Sequence, residues 1–84
     1  MKTIYKYQLK DRVSEIEIPI DFNILAIQNQ DNCIFLWAVV DTDYPKEKRT
    51  FYLLGTGQEL PDNFDDLEYL DTVQQNEYVW HVYF

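Results

Sequence analysis

The chain has 84 residues, a formal net charge of −8, 17% aromatic residues and a single cysteine. A length of this order makes one domain, residues 1–84, whose thin core buries only about 60% of the surface that the unfolded chain exposes. The acidity opposes direct binding to nucleic acid or to anionic lipid, because both present phosphate. The lone Cys33 rules out an internal disulfide, and the longest apolar run, Cys33–Val40, falls far short of the ~20 residues that span a bilayer. A soluble cytoplasmic protein is the expectation, with no membrane partner.

Ile4–Leu9 alternates, with Tyr5, Tyr7 and Leu9 facing one way and Lys6 and Gln8 the other. Period two is the mark of a strand. Ile16, Ile18 and Ile20 alternate with Glu15 and Glu17 in a second strand, ended by Pro19. Ile24–Gln28 is a third, and Gln30-Asp31-Asn32 reads as a tight hairpin turn, because Asp and Asn tolerate left-handed backbone. Cys33–Val40 (CIFLWAVV) is apolar on both faces, which predicts a central strand covered on both sides, with Trp37 in the core.

Asp41–Lys48 is a charged loop containing Pro45, followed by a fifth strand, Arg49–Leu54, which Gly55-Thr56-Gly57 stops. Pro61–Asp66 has room for one helical turn, with Asp62 as its cap. Leu67–Val73 is a sixth strand and Gln74–Glu77 a turn. Tyr78–Phe84 is a seventh strand with aromatics on both faces, suited to the inside of a sheet or to a subunit interface. Six to seven strands with turns every eight to twelve residues predict an all-β fold, a small antiparallel sandwich or open barrel with at most one helical turn.

The residues offer little catalytic chemistry. Asp41-Thr42-Asp43 opens like a calcium loop, but Lys46 and Tyr52 stand where an EF-hand needs Gly and Glu. Gly55-Thr56-Gly57 lacks the lysine and following helix of a P-loop and reads as a turn, with a backbone nest as the minor alternative. His81 is the sole histidine, and no local pattern ties it to Ser14 or Cys33 as a nucleophile. No metal and no cofactor is expected.

Two surface features carry the binding readings. Every Lys and Arg lies within Lys2–Arg12 or Lys46–Arg49, whereas residues 50–84 hold seven acids and no cation. Asp62, Asp65, Asp66, Glu68 and Asp71 therefore form a candidate acidic surface for a basic partner, either as a solvated loop or as carboxylates spaced like phosphates. Tyr5, Tyr7, Tyr52, Tyr78, Trp80 and His81 are candidate ligand or interface aromatics, and Tyr83 belongs to the same surplus of Tyr and Trp. Lys46, Lys48 and Arg49 are the cations best placed in sequence to hold an anion.

Thr3-Ile4-Tyr5-Lys6-Tyr7-Gln8-Leu9, Leu36-Trp37-Ala38-Val39-Val40-Asp41, Arg49-Thr50-Phe51, Gly55-Thr56-Gly57, Leu60-Pro61-Asp62 and Val79-Trp80-His81-Val82-Tyr83-Phe84 occur in that order. Together they resemble a family of small bacteriophage and prophage proteins of unknown function. The pattern is I-Y-K-Y-x-L, L-W-A-x-V-D, R-x-F, G-T-G, P-D and F/W-H-V across nearly the whole chain. The turn before the last strand, Gln74–Glu77, departs from the glycine-rich turn of those proteins. The resemblance implies a phage accessory protein acting in the cytoplasm of the bacterial host, and it assigns no catalytic residue.

The expected function is that of a non-enzymatic, homo-oligomeric binding protein that neutralises a host component, most readily an anti-phage defence. It would do so by covering a basic protein surface or by sequestering a nucleotide-like signal. The alternatives are a structural or assembly protein of the phage particle and, more remotely, a small hydrolase using His81.

Overall fold

The structure is a computed structural model that describes residues 1–84. Seven strands follow one another: β1 (Lys2–Leu9), β2 (Val13–Pro19), β3 (Asn23–Gln30), β4 (Cys33–Asp41), β5 (Lys46–Gly55), β6 (Tyr69–Gln75) and β7 (Tyr78–Tyr83). They form two antiparallel sheets, one ordered β1-β4-β3 and the other β2-β5-β7-β6. One 3-10 turn, Phe64–Asp66, is the only helical element. The fold is the expected small all-β sandwich, and no helix is long and apolar enough to cross a membrane.

Alternation determines which side chains meet between the sheets. The three-stranded sheet contributes Leu9, Ile27, Ile34, Leu36, Ala38 and Val40; the four-stranded sheet contributes Ile16, Ile18, Phe51, Leu53, Val73, Trp80 and Val82. At one end Phe22, Phe51 and Phe84 cluster with ring centres 5.6–6.5 Å apart. The Arg49 guanidinium covers that cluster, 4.5 Å from the Phe84 ring centre. At the other end side-chain amides tie the sheets together. Asn29 Nδ2 donates to the Gln74 carbonyl, Gln75 Nε2 to the Asn32 carbonyl, and Asn76 Nδ2 to Asn32 Oδ1.

The turn chemistry follows the sequence. Asp31 and Asn32 have φ of 53° and 62°, the doubled left-handed geometry that suits a two-residue hairpin. Asn76 has φ 53° in the β6–β7 turn. The edges carry irregularities: β3 bulges between Ile24 and Ala26, and β6 between Tyr69 and Asp71.

Three expectations need correction. β4 is central but is covered on one side only. Ile34, Leu36, Ala38 and Val40 point inward, while Cys33, Phe35, Trp37 and Val39 lie half-buried on the outer face. Trp37 is therefore not core: it sits beside Phe35, with Lys6 Nζ 4.0 Å above the Phe35 ring and 5.4 Å from the Trp37 ring. The β5 strand starts at Lys46 instead of Arg49, because the segment Lys46–Arg49 completes the ladder to β2, with Lys48 opposite Glu17. Asp62 does not cap the 3-10 turn; Asn63 holds that position and makes no side-chain capping bond.

These placements separate two substitutions that the sequence treats alike. Phe51→Ala should cost about 3–5 kcal/mol, since Phe51 is fully buried. Trp37→Ala should cost about 1–2 kcal/mol, because Trp37 is only partly buried and lies on the outer face. Chemical denaturation of both variants checks the ranking.

The Met1 α-ammonium binds Asp41 Oδ1 at 3.1 Å and Asp43 Oδ2 at 2.7 Å. The Asp43 N–H, and then this ammonium, hold the Asp41 carboxyl below its ordinary range; the side chains of Asp43 and Asp41 push the amine above its own. The carboxylate's contribution is present above its ordinary pKa and lost as pH falls through the lowered folded value. The amine's contribution is present below its ordinary pKa and lost as pH rises through the raised folded value. The melting-temperature gap between the native protein and Asp41→Asn should thus be widest near about pH 7 and narrow in both acid and alkali. A gap independent of pH would show that the pair contributes nothing.

Candidate functional site

β5 and β7 set the site through their register. Leu54 lies opposite His81, Tyr52 opposite Tyr83, and Gly55 opposite Trp80. Since Leu53, Trp80 and Val82 point into the core, Tyr52, Leu54, His81 and Tyr83 must point outward from the four-stranded sheet. β6 adds Tyr69, opposite Tyr83, and Thr72, opposite His81.

The loop after β5 folds back over this face. The Thr56 N–H donates to the Val79 carbonyl at 3.2 Å, and the Gln58 N–H to the Gly55 carbonyl at 3.1 Å. The Gln58 side chain turns inward to accept from the Gly55 N–H at 3.2 Å, occupying the space where a Cβ on residue 55 would stand. Gly57 has φ +83°, a backbone conformation that a side chain would strain. Further along, Asn63 Nδ2 donates to the Tyr52 hydroxyl at 3.2 Å, and Phe64 packs on Tyr83 with ring centres 5.0 Å apart. Tyr69 packs edge-on against Tyr83 with ring centres 5.5 Å apart.

The result is a pocket of about 330 Å³ lined by Gly55–Gly57, Leu54, Leu60, Phe64, His81 and Tyr83. Leu54, Gln58 and Leu60 also line an adjoining groove of about 470 Å³, which runs toward Arg12 and Val13 and is flanked by Glu59 and Asp62.

His81 is held by hydroxyls on both nitrogens. Nε2 lies 2.8 Å from Thr56 Oγ1, and Nδ1 lies 3.1 Å from Thr72 Oγ1. Thr72 Oγ1 is in turn 2.7 Å from the Tyr69 hydroxyl. One assignment uses each hydrogen once: Tyr69 donates to Thr72, Thr72 to Nδ1, Nε2–H to Thr56, and Thr56 to the Val79 carbonyl at 3.5 Å. The two hydroxyls hold the imidazole in one orientation, with its edge in the pocket wall. No carboxylate orients the ring as in a nucleophile–base–acid relay. Ser14 is bonded to Asp11 on the inner side of β2, and Cys33 sits on the other sheet.

The candidate aromatics separate into three groups. Tyr52 and His81 belong to the pocket face. Tyr78 and Trp80 stack 5.7 Å apart, with Trp80 buried and its Nε1 donating to Gln75 Oε1 at 2.9 Å. Tyr5 and Tyr7 lie on β1, where Tyr7 packs against the core. Of the candidate anion ligands, Arg49 is committed to Phe22 and Phe84. Lys46 and Lys48 stand at the far end of β5, about 20–30 Å from Gly55 at strand rise.

The acidic residues Asp62, Asp65 and Asp66 flank Phe64, while Glu68 leads into β6 and Asp71 lies on it. Phe64 and Thr56 line the pocket and Thr72 supports His81 from outside the lining; these three are absent from the expected set. Tyr83 was accessible from its two-residue spacing to His81; the others come together only through register and loop folding.

A family model described as a domain of unknown function, DUF7352, matches residues 1–84. The chain belongs to the DUF7352 family. No curated protein and no solved structure matches it.

The hydroxyl support of His81 can be tested directly. Thr72→Val leaves Nδ1 without its partner and should cost about 1 kcal/mol. Nitrogen chemical shifts of the imidazole should move toward a mixture of tautomers; unchanged shifts would mean that Thr72 does not set the ring.

Proposed function

We propose that this DUF7352 protein is a non-enzymatic accessory protein of a bacteriophage, one that neutralises a bacterial host protein by covering a basic surface on it. Inhibition of an anti-phage defence is the role that this reading favours. The supporting observation is the composition of one face. The outer side of the four-stranded sheet has an apolar and aromatic centre of Tyr52, Leu54, Leu60, Phe64 and Tyr83, beside a loop whose charges at Asp62, Asp65 and Asp66 share one sign. An apolar centre with a charged margin is the anatomy of a protein–protein interface. Leu60 is 48% exposed and Tyr69 52% exposed, which leaves unburied area for a partner.

Between the two modes of neutralisation, the charge distribution favours surface occlusion. A nucleotide-like signal needs cations for its phosphates, and the lining of the His81 pocket contains none. The phage assignment rests on the ordered sequence motifs, and the non-enzymatic assignment on the hydroxyl-only surroundings of His81.

The test compares the native protein with the Asp62→Asn, Asp65→Asn, Asp66→Asn triple variant, each recovered from the bacterial host and measured against the partner it retains. Electrostatically steered association should slow by about tenfold or more in the variant and lose most of its salt dependence. Equal association rates and equal salt dependence would remove the acidic margin from the interface.

A further inference from the structure

We infer that the His81 pocket receives an arginine side chain of the partner, a proposal that rests on the occlusion reading above and specifies its anchor. The pocket has two requirements, and arginine meets both. Its walls begin with Leu54 and Leu60, which suit an aliphatic stem. The lining also holds the rings of Phe64 and Tyr83, inclined at 54° to each other, and the side-chain oxygens of Thr56 and Gln58, each with a second lone pair beyond its bond to His81 or to the Gly55 N–H. A guanidinium is planar and weakly hydrated, stacks on aromatic faces and donates in several directions at once.

Charge selects the same occupant. No Lys or Arg lines the pocket, residues 50–84 contain none, and Asp62, Asp65 and Asp66 stand within two residues of Phe64. An anion would meet no counter-charge in the lining, whereas a cation gains from the ring quadrupoles there. The volume of about 330 Å³ accommodates one long side chain. The mouth is open at Gly57, where an added Cβ would meet nothing within 4 Å.

Three probes decide the matter by NMR titration of the intact protein: N-acetyl-arginine amide, its uncharged norleucine counterpart and AMP. The arginine probe should shift the resonances of Gly57 and His81, and added salt should weaken it. Phe64→Leu keeps apolar volume but removes the π face, and it should weaken arginine binding by about threefold to tenfold in a protein whose spectrum stays dispersed. The inference is overturned if the arginine probe leaves both residues unshifted, if norleucine binds as well, if AMP binds more tightly, or if Phe64→Leu binds arginine like the native protein. Failure here with salt-dependent partner binding intact would reject the arginine anchor alone. Loss of the charge effect in the triple aspartate variant would reject occlusion itself.

Discussion

Everything in this domain depends on two rows of side chains pressed together. Ile34, Leu36, Ala38 and Val40 of β4 face Phe51 and Leu53 of β5 and Val82 of β7 across the gap between the sheets, and most of them are almost wholly removed from water. Neither sheet could stand alone, because each has only one dry face. The sandwich gives β5 and β7 central positions in the larger sheet, and their fixed inward residues force Tyr52, Leu54, His81 and Tyr83 to the outside. Core and site are thus opposite faces of the same strands, and a one-residue slip in pairing would exchange them.

Much of the fold was legible because the alternation is strong. Glu15 and Glu17 between buried Ile16 and Ile18, and the Asp31-Asn32 turn, follow from residue chemistry alone. The errors have physical causes. An apolar residue need not be covered, and Phe35 and Trp37 show it: a Lys6 ammonium over their rings substitutes for a second layer. Charged residues need not form a loop, and Lys46–Arg49 shows it: an edge strand offered them a ladder. The pocket was less legible than the fold. Gly55–Gly57 and His81 are individually noticeable, but their proximity is a matter of β5–β7 register across about 25 residues of chain. Phe64 joins them through a loop conformation that no periodicity encodes.

The charge distribution has a structural logic beyond solubility. Lys2 and Lys6 share the outer side of the three-stranded sheet. On the four-stranded sheet Glu17 lies opposite Lys48, so one end of that face carries both signs, whereas the 62–66 segment beside Tyr52 carries acids alone. The surface is therefore uneven in electrostatic character although the chain as a whole is strongly acidic. A partner meets one part of that surface, and net charge alone would not describe it.

The four exposed strand edges have a consequence for assembly. β3 and β6 are bulged, β2 ends in Pro19 and carries two glutamates, and β1 carries two lysines. Each device makes an edge a poor template for another strand. Growth by edge pairing would have no natural stopping point, so blunted edges keep the protein from open-ended polymerisation even when it is abundant. Contacts between copies, or with other proteins, are left to the sheet faces, where side chains and not backbone amides determine the match. Stoichiometry is then finite and sequence-dependent, determined by side-chain fit.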